Sequence, residues 1–326
     1  MRSRTGRAAA AAVAVVLLLT GCSGADPSDE DDAARGGAEG ATTGPGTPSD
    51  AGPGRRTPRL PAVLAEALHG EPSRARTPRQ AVRQVVAAEL AIADDGTGPP
   101  ALAAAARVQQ VAYRVLGERP AWDARVRRLL PDDLRRVVAD NVASRREFRS
   151  MHTSDLSRTV PAWRIVAPVP APRLRGIFRV AERRFGVDWE YLAAVMLVET
   201  GMGRIRGTSV AGAQGPMQFI PTTWAAYGRG DIDDPRDAVM AAARYLRARG
   251  FTEPGGVDRA LYSYNNHPAY ARGVRLLAEV MQRRPRAYLA YHHWEVYYLT
   301  ARGDVRLPVG YAERRPVPVG RYLARG

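Results

Sequence analysis

Apolar side chains recur at spacings of three and four along most of this chain, the repeat that gathers them on one face of a helix. Thr77-Pro78-Arg79-Gln80 has the form of a capping box with proline at the first helical position. Val82, Val85, Val86 and Leu90 continue one face behind it. After the Gly-Pro punctuation at 98–100, Leu102 to Leu116 reads as a second helix. Trp122, Val126, Leu129 and Leu130 mark a third, and Pro131-Asp132 opens a fourth carrying Leu134, Val137, Val138 and Val142. Pro161 to Pro172 breaks the pattern and reads as extended. Helical spacing then resumes with Leu174, Ile177, Phe178, Ala181 and Phe185.

The next helix is the informative one. Asp188 is placed to cap it, Glu190 suits the positive end of its dipole, and Gly201 is placed to stop it. Leu192, Val195, Met196 and Glu199 share a face, so Glu199 projects from an apolar stripe in the last turn. Burial and the negative helix end both disfavour its charged form, and both raise its expected pKa. A carboxylic acid that keeps its proton near neutral pH can serve as a general acid. The plain alternative is a helix-end carboxylate reaching past a short helix into water. Beyond it, Asp234 to Asp237 caps a helix running to Arg249 and stopped by Gly250, and two more helices follow around 257–264 and 268–283. Strand-like runs are few. Trp294 to Thr300, a turn at 302–304, and Val305 to Leu307 predict one late hairpin.

Composition sets the setting. The chain has 326 residues, a formal charge of +15, and arginine as its only basic residue apart from histidine. The charge is explained by a solvated basic surface, with a polyanion partner as the alternative. Neither zinc-finger spacing nor an RNA-binding motif is present, so no nucleic-acid partner is expected. Arg2, Arg4 and Arg7 precede an apolar run from Ala8 to Leu19, too short for the roughly 20 residues of a membrane-spanning helix. Leu19-Thr20-Gly21-Cys22 follows and resembles a bacterial lipobox, whose cysteine becomes the lipidated N-terminus. Cys22 is the only cysteine, so it has no disulfide partner within the chain. Residues 23–57 are rich in Gly, Pro, Ser, Thr, Asp and Ala and read as a tether, with a reach of about 30–35 Å. The expected organisation is a signal peptide over 1–21, a lipidated cysteine and tether over 22–57, and a helical N-terminal module over 58–160. A catalytic domain over 161–290 and a C-terminal extension over 291–326 complete it. The expected location is outside the cytoplasm, anchored by lipid to the membrane and facing the cell wall.

Two further segments carry candidate chemistry. Ser209-Val210-Ala211-Gly212-Ala213-Gln214-Gly215-Pro216-Met217-Gln218 is a glycine-bracketed loop able to approach a ligand closely. Tyr262-Ser263-Tyr264-Asn265-Asn266 ends a later helix. With Glu199-Thr200, these pieces in this order resemble the lytic transglycosylases of the SLT superfamily, which have a goose-type-lysozyme-like fold. Met217-Gln218-Phe219-Ile220-Pro221 followed by Thr222-Thr223-Trp224 is closest to the B-type and actinobacterial branch. The resemblance covers roughly residues 172–285. It implies a mainly α protein, a lysozyme-like helical catalytic domain with a small loop or β element, preceded by the helical module.

It also implies cleavage of the β-1,4 bond between N-acetylmuramic acid and N-acetylglucosamine in peptidoglycan glycan strands. Glu199 would be the single catalytic acid and base, and the product would carry a 1,6-anhydro end. Ser209 would bond Glu199 or a substrate acetamido group, and Gln218 would contact the sugar. Tyr264 would orient or hydrogen-bond Glu199, and Asn265 would fix nearby backbone or touch the glycan. Tyr264 as core packing and Asn265 as a helix stop are the alternatives. Proteins of cell-wall synthesis or division are conceivable further partners.

Some relatives of this branch carry a calcium loop. Gly228 to Pro235 is too short for one and lacks its final Glu, so neither a metal nor a cofactor is expected. Asp231 or Asp233 could activate water and make the protein a muramidase. Asp234 and Asp237 are more simply capping groups. A non-catalytic peptidoglycan-binding lipoprotein is the rival from another class, but it would have no need of the acid. The neighbours His292 and His293 do not share a helix face and have no further ligands at metal spacing. Tyr291, Trp294, Tyr297 and Tyr298 read as a tail packed on the domain, with a sugar-stacking groove as the alternative.

Overall fold

The computed structural model describes residues 60–152, 156–209 and 211–325. The expected export signal, Cys22 and the expected tether lie outside the described residues. The chain is mainly helical. Five helices come first: α1 (Ala62–His69), α2 (Pro78–Ala93), α3 (Pro99–Glu118), α4 (Asp123–Leu129) and α5 (Asp132–Ser150). The capping box before α2 forms, with Thr77 Oγ1 accepting from the Gln80 N–H at 3.2 Å. The Gln80 side chain reaches back to the N–H of Arg76, one residue earlier than the usual box.

The second run comprises α6 (Ala171–Phe185), α7 (Trp189–Thr200), α8 (Pro221–Tyr227), α9 (Pro235–Ala248), α10 (Gly256–Asn265), α11 (Pro268–Arg283) and α12 (Ala287–His293). A short α13 (Val319–Leu323) lies near the C-terminus. Helix α7 is the hub, packed by α6, α9, α11 and α12. Helix α11 in turn packs on α5, and α3 packs on α2, α5 and α12. One apolar core therefore runs from Ala81 in α2 to Tyr291 in α12.

The strands are short and paired in twos. The late hairpin is β4 (Val296–Thr300) with β5 (Gly303–Leu307). Before α6 lie β1 (Thr159–Val160) and β2 (Arg164–Ile165), and after α7 comes β3 (Ile205–Arg206), with β6 (Val317–Pro318) near the end. Strand β1 pairs with β6 and β2 with β3, both antiparallel. The proline-rich segment is extended as expected, but through β2 it also clasps the chain leaving α7. Trp163, Ile165, Ile205, Tyr298, Leu307 and Tyr311 belong to a second apolar cluster associated with these strands.

Candidate active site

Helix α7 carries the candidate acid, and its setting differs from the sequence reading in degree. Every residue from Trp189 to Thr200 is buried except half-buried Glu190. An apolar helix wrapped on all sides has no solvent face for a polar side chain. A single stripe was too modest a description. The expected cap is also replaced. The Asp188 side chain makes no capping bond, and the Trp189 N–H instead donates to Glu182 Oε1 on α6 at 3.3 Å. Asp188 is turned to the amide of Gln282. At the other end Gly201 stops the helix in a left-handed conformation, φ +60°. The N–H groups of Gly201 and Met202 bond the carbonyls of Leu197 and Met196, closing the helix in a Schellman-type turn.

Glu199 is 0% exposed. Its Oε1 accepts a 2.8 Å hydrogen bond from the Tyr270 hydroxyl, and its Oε2 has no partner among the described residues. Burial pushes its pKa up to about 8, and the bond from Tyr270 pulls partly the other way. The carboxyl group therefore holds its proton at neutral pH, and no neighbouring carboxylate is needed to explain it.

Tyr270 is the partner that sequence reasoning missed. It lies in the first turn of α11, fixed by a cap in which His267 Nδ1 accepts from the Ala269 N–H at 3.1 Å. The expectation that Tyr264 would bond Glu199 is corrected. The Tyr264 hydroxyl donates to the Met217 carbonyl at 2.8 Å, so its bonding is spent on the loop. Its ring stacks on that of Tyr270, with planes 7° apart and centroids 6.2 Å apart. Tyr264 thus supports the ring that holds Glu199. A Tyr one helix further on, beyond the His267-Pro268 start of α11, was the only signal available. Asn265 is the last residue of α10 and half-buried. The left-handed stop is Asn266, φ +57°.

The glycine-bracketed loop is held against α7 from both sides. Thr200 Oγ1 donates to the Pro216 carbonyl at 2.6 Å and accepts from the Gly203 N–H at 3.0 Å. Gln214 and Phe219 exchange two backbone bonds of 2.9 Å around the turn Gly215–Gln218. Gly215 has φ +72°, and a Cβ there would lie 2.0 Å from the Ile232 carbonyl oxygen. Only glycine fits. Gln218 closes the turn at φ +50° without being glycine, a strained conformation of the kind that clusters at functional sites. It is fully buried. Its Nε2 donates to the Gly215 carbonyl at 2.9 Å, and its Oε1 has no partner among the described residues. Ser209 is buried too. Its Oγ accepts from the N–H groups of Ala211 and Ala213 at 3.2 and 3.0 Å. It organises the loop, and the expected bond to Glu199 is replaced by these two.

The remaining candidates are placed as packing or capping groups. Asp234 Oδ1 accepts from the N–H groups of Arg236 and Asp237 at 2.8 and 3.0 Å. Asp237 receives the N–H of Asp231, and Asp231 that of Asp233. These bonds stabilise the turn before α9. His292 Nε2 lies 2.8 Å from the Val169 carbonyl, and burial lowers its pKa to about 4. The Tyr291 hydroxyl donates to Asn141, and the Trp294 indole N–H to Gln109. Tyr298 packs edge-on against Trp163. The late aromatics are thus packing groups, as the sequence reading favoured.

Comparison with known proteins agrees with this geometry. Residues 176–292 match the family model of the transglycosylase SLT domain. A membrane-bound lytic murein transglycosylase F of Nitrosospira multiformis is 28% identical over 145 residues, which make up 43% of this chain and 29% of the relative. A protein of the same description from Thiobacillus denitrificans is 30% identical over 128 residues, 37% of this chain and 27% of the relative. The chain spans under a third of the length of these relatives. The matched segment begins within α6 and ends within α12, and it contains Glu199, Tyr270 and the loop that α7 holds. Residues 176–292 of this chain are thus similar to the transglycosylase SLT domain, and the candidate acid lies inside that segment.

Proposed function

We propose that the chain cleaves the β-1,4 bond between N-acetylmuramic acid and N-acetylglucosamine in peptidoglycan, using Glu199 for both proton transfers. The observation that carries this reading is the setting of Glu199: fully buried, with burial pushing its pKa up to about 8, anchored through one oxygen and without a partner among the described residues at the other. In the first step the free side of the carboxyl group donates its proton to the glycosidic oxygen. The C1–O4 bond breaks and the N-acetylglucosamine part leaves with that proton. Positive charge develops at C1, and the new carboxylate faces it. In the second step Glu199 takes the proton of the muramic C6 hydroxyl as its oxygen bonds C1. The ring closes as a 1,6-anhydro end and Glu199 regains its proton. No water is consumed, and the nucleophile belongs to the substrate.

The loop supplies the remaining polar groups. Gln218 Oε1, buried and without a partner, suits an N–H or O–H of the sugar. Ser209 offers its own hydroxyl proton, since its oxygen already serves the loop as acceptor. Binding at this site would replace desolvated, unpaired groups with paired ones. Cys22, lipidated behind the tether, would keep the domain at a membrane surface facing the cell wall.

Tyr270 positions Glu199 and tunes it. Its bond favours the carboxylate, so Tyr270→Phe is expected to move the alkaline limb of the pH–rate profile upward from about 8. Turnover should fall roughly tenfold, because the carboxylate formed in the first step loses a charge-assisted bond. A purely structural role would lower the rate without moving the limb. The product test is mass analysis of muropeptides released from purified sacculi, with Glu199→Gln as the control. Anhydro-ended fragments support the proposal. Reducing ends, one water heavier, would make the protein a hydrolase.

A further inference from the structure

Behind α7, on the side of α3 and α5, lies a cavity of about 80 Å³. Phe148, Leu197, Val198, Leu277, Trp294 and Val296 give it apolar walls, and Arg114 and Arg145 also line it. These two guanidinium groups and that of Arg149 converge on a single carboxylate, Asp304, whose side chain is 1% exposed. Glu118 approaches Arg149 at 3.7 Å, but it also bonds Arg74 at 2.6 Å. Glu295, a further carboxylate on the lining, is paired with Arg306 at 2.9 Å. Positive charge is therefore in excess around Asp304, with Arg114 and Arg145 mostly shielded from solvent and Arg149 about a third exposed. The donors are in excess as well. Arg114 Nε, Arg145 Nε and Arg149 Nη1 are buried without a hydrogen-bond acceptor among the described residues. Arg114 is 6% exposed.

Unpaired buried donors and uncompensated buried charge are each costly, and both are relieved by an anion. The other polar groups on the walls are satisfied. The Gln110 amide exchanges bonds of 2.8 and 2.9 Å with the backbone of Glu295. Asn141 bonds Val137 and Tyr291. The Ser144 hydroxyl donates to the Gly273 carbonyl at 2.9 Å. Tyr113 also lines the walls, and its hydroxyl donates to Glu89. The donors left to be met there are guanidinium N–H groups.

We infer that this cavity is a binding site for a short-chain carboxylate, its carboxyl group accepting from Arg114 and Arg145 and its alkyl part lying against Phe148, Leu277 and Trp294. Size sets the ligand. A dry cavity of about 150 Å³ accommodates benzene, so a space of about half that volume suits an acid of about three carbons. The site is separate from the proposed cleavage chemistry, and its test does not depend on that reading. It places the ligand against Leu197, Val198 and Gly201, the back of the helix that carries Glu199.

Propionate is the probe, titrated into the full-length chain while the indole N–H resonance of Trp294 is followed by NMR. Propionamide and sodium chloride at matched ionic strength are the controls. Saturation by propionate alone is expected, with a dissociation constant on the order of millimolar for so small a ligand. Arg145→Gln should weaken binding roughly tenfold or more. Equal responses to propionate and propionamide, or to propionate and chloride, would overturn the assignment, as would an Arg145→Gln chain that binds unchanged. If that variant fails to fold, the three-probe comparison on the unmodified chain decides alone.

Discussion

Glu199→Gln is expected to abolish cleavage while making the protein more stable at mildly alkaline pH. A positioned general acid and base contributes about 10²–10⁴-fold to rate for each function it serves. In the proposed mechanism one group serves both steps, so the loss should reach at least the upper end of that range. The stability effect has the opposite sign and follows from linkage. The unfolded chain releases this proton near 4.5, whereas the folded protein holds it up to about 8. Between those values the folded state binds more protons, so stability falls as pH rises. The favourable contribution is complete below the ordinary carboxyl range and lost once the pH passes about 8. Glutamine keeps the oxygen that accepts from Tyr270 and carries no titrating proton. The variant should gain on the parent progressively across that window, by as much as about 4 kcal/mol at its upper end. Urea denaturation at pH 5 and pH 9 measures it. A difference that does not grow with pH would mean that Glu199 is ionised in the folded protein.

The second large effect is predicted at Asp304, far from the chemistry in sequence. Burial alone would raise its pKa, but Arg114, Arg145 and Arg149 outweigh burial and hold it well below the usual carboxylate range. Asp304→Asn removes the carboxylate on which all three guanidinium groups converge. Breaking a buried pair from one side costs about 3–5 kcal/mol, because charge is left behind without compensation. The loss should appear in denaturant melts and should loosen the β4–β5 hairpin from α3 and α5. The pH dependence is the reverse of that at Glu199. The folded pKa lies below the unfolded one, so the contribution is present above the ordinary carboxyl range and is lost as the pH falls from there through the lower folded value. A cost under about 1 kcal/mol would show that the arginines are solvated and the cluster contributes little.

Helix α7 was more legible in the sequence than its surroundings. Helical spacing placed α2 to α7 and α9 to α11, because each repeats its apolar face over several turns. The hairpin was legible from a turn between two alternating runs. Helices α1, α8, α12 and α13, each of eight residues or fewer, went unassigned, whereas the equally short α4 was marked by Trp122, Val126, Leu129 and Leu130 around it. Strands β1, β2, β3 and β6 span two residues each, too few to alternate, and they exist because distant segments meet. The same holds at the site. Glu199 was identifiable from its own helix, since an acid on an apolar face is a local anomaly. Tyr270 was not, because its bond to Glu199 spans 71 residues and nothing near it in sequence marks it. Tyr264 makes no bond to Glu199 and acts on it only through the loop and Tyr270, which it braces. The arginine cluster was invisible for the same reason. In a chain with so many arginines, composition cannot distinguish three that converge on one buried aspartate from the rest.

The central claim is that Glu199 works without an attacking water. Digesting sacculi in heavy-oxygen water tests it directly. Transglycosylation leaves the new muramic end as a 1,6-anhydro ring that contains no solvent oxygen, and this account predicts that mass. A new end carrying one heavy oxygen at C1, absent with Glu199→Gln, would contradict it and assign the second step to water.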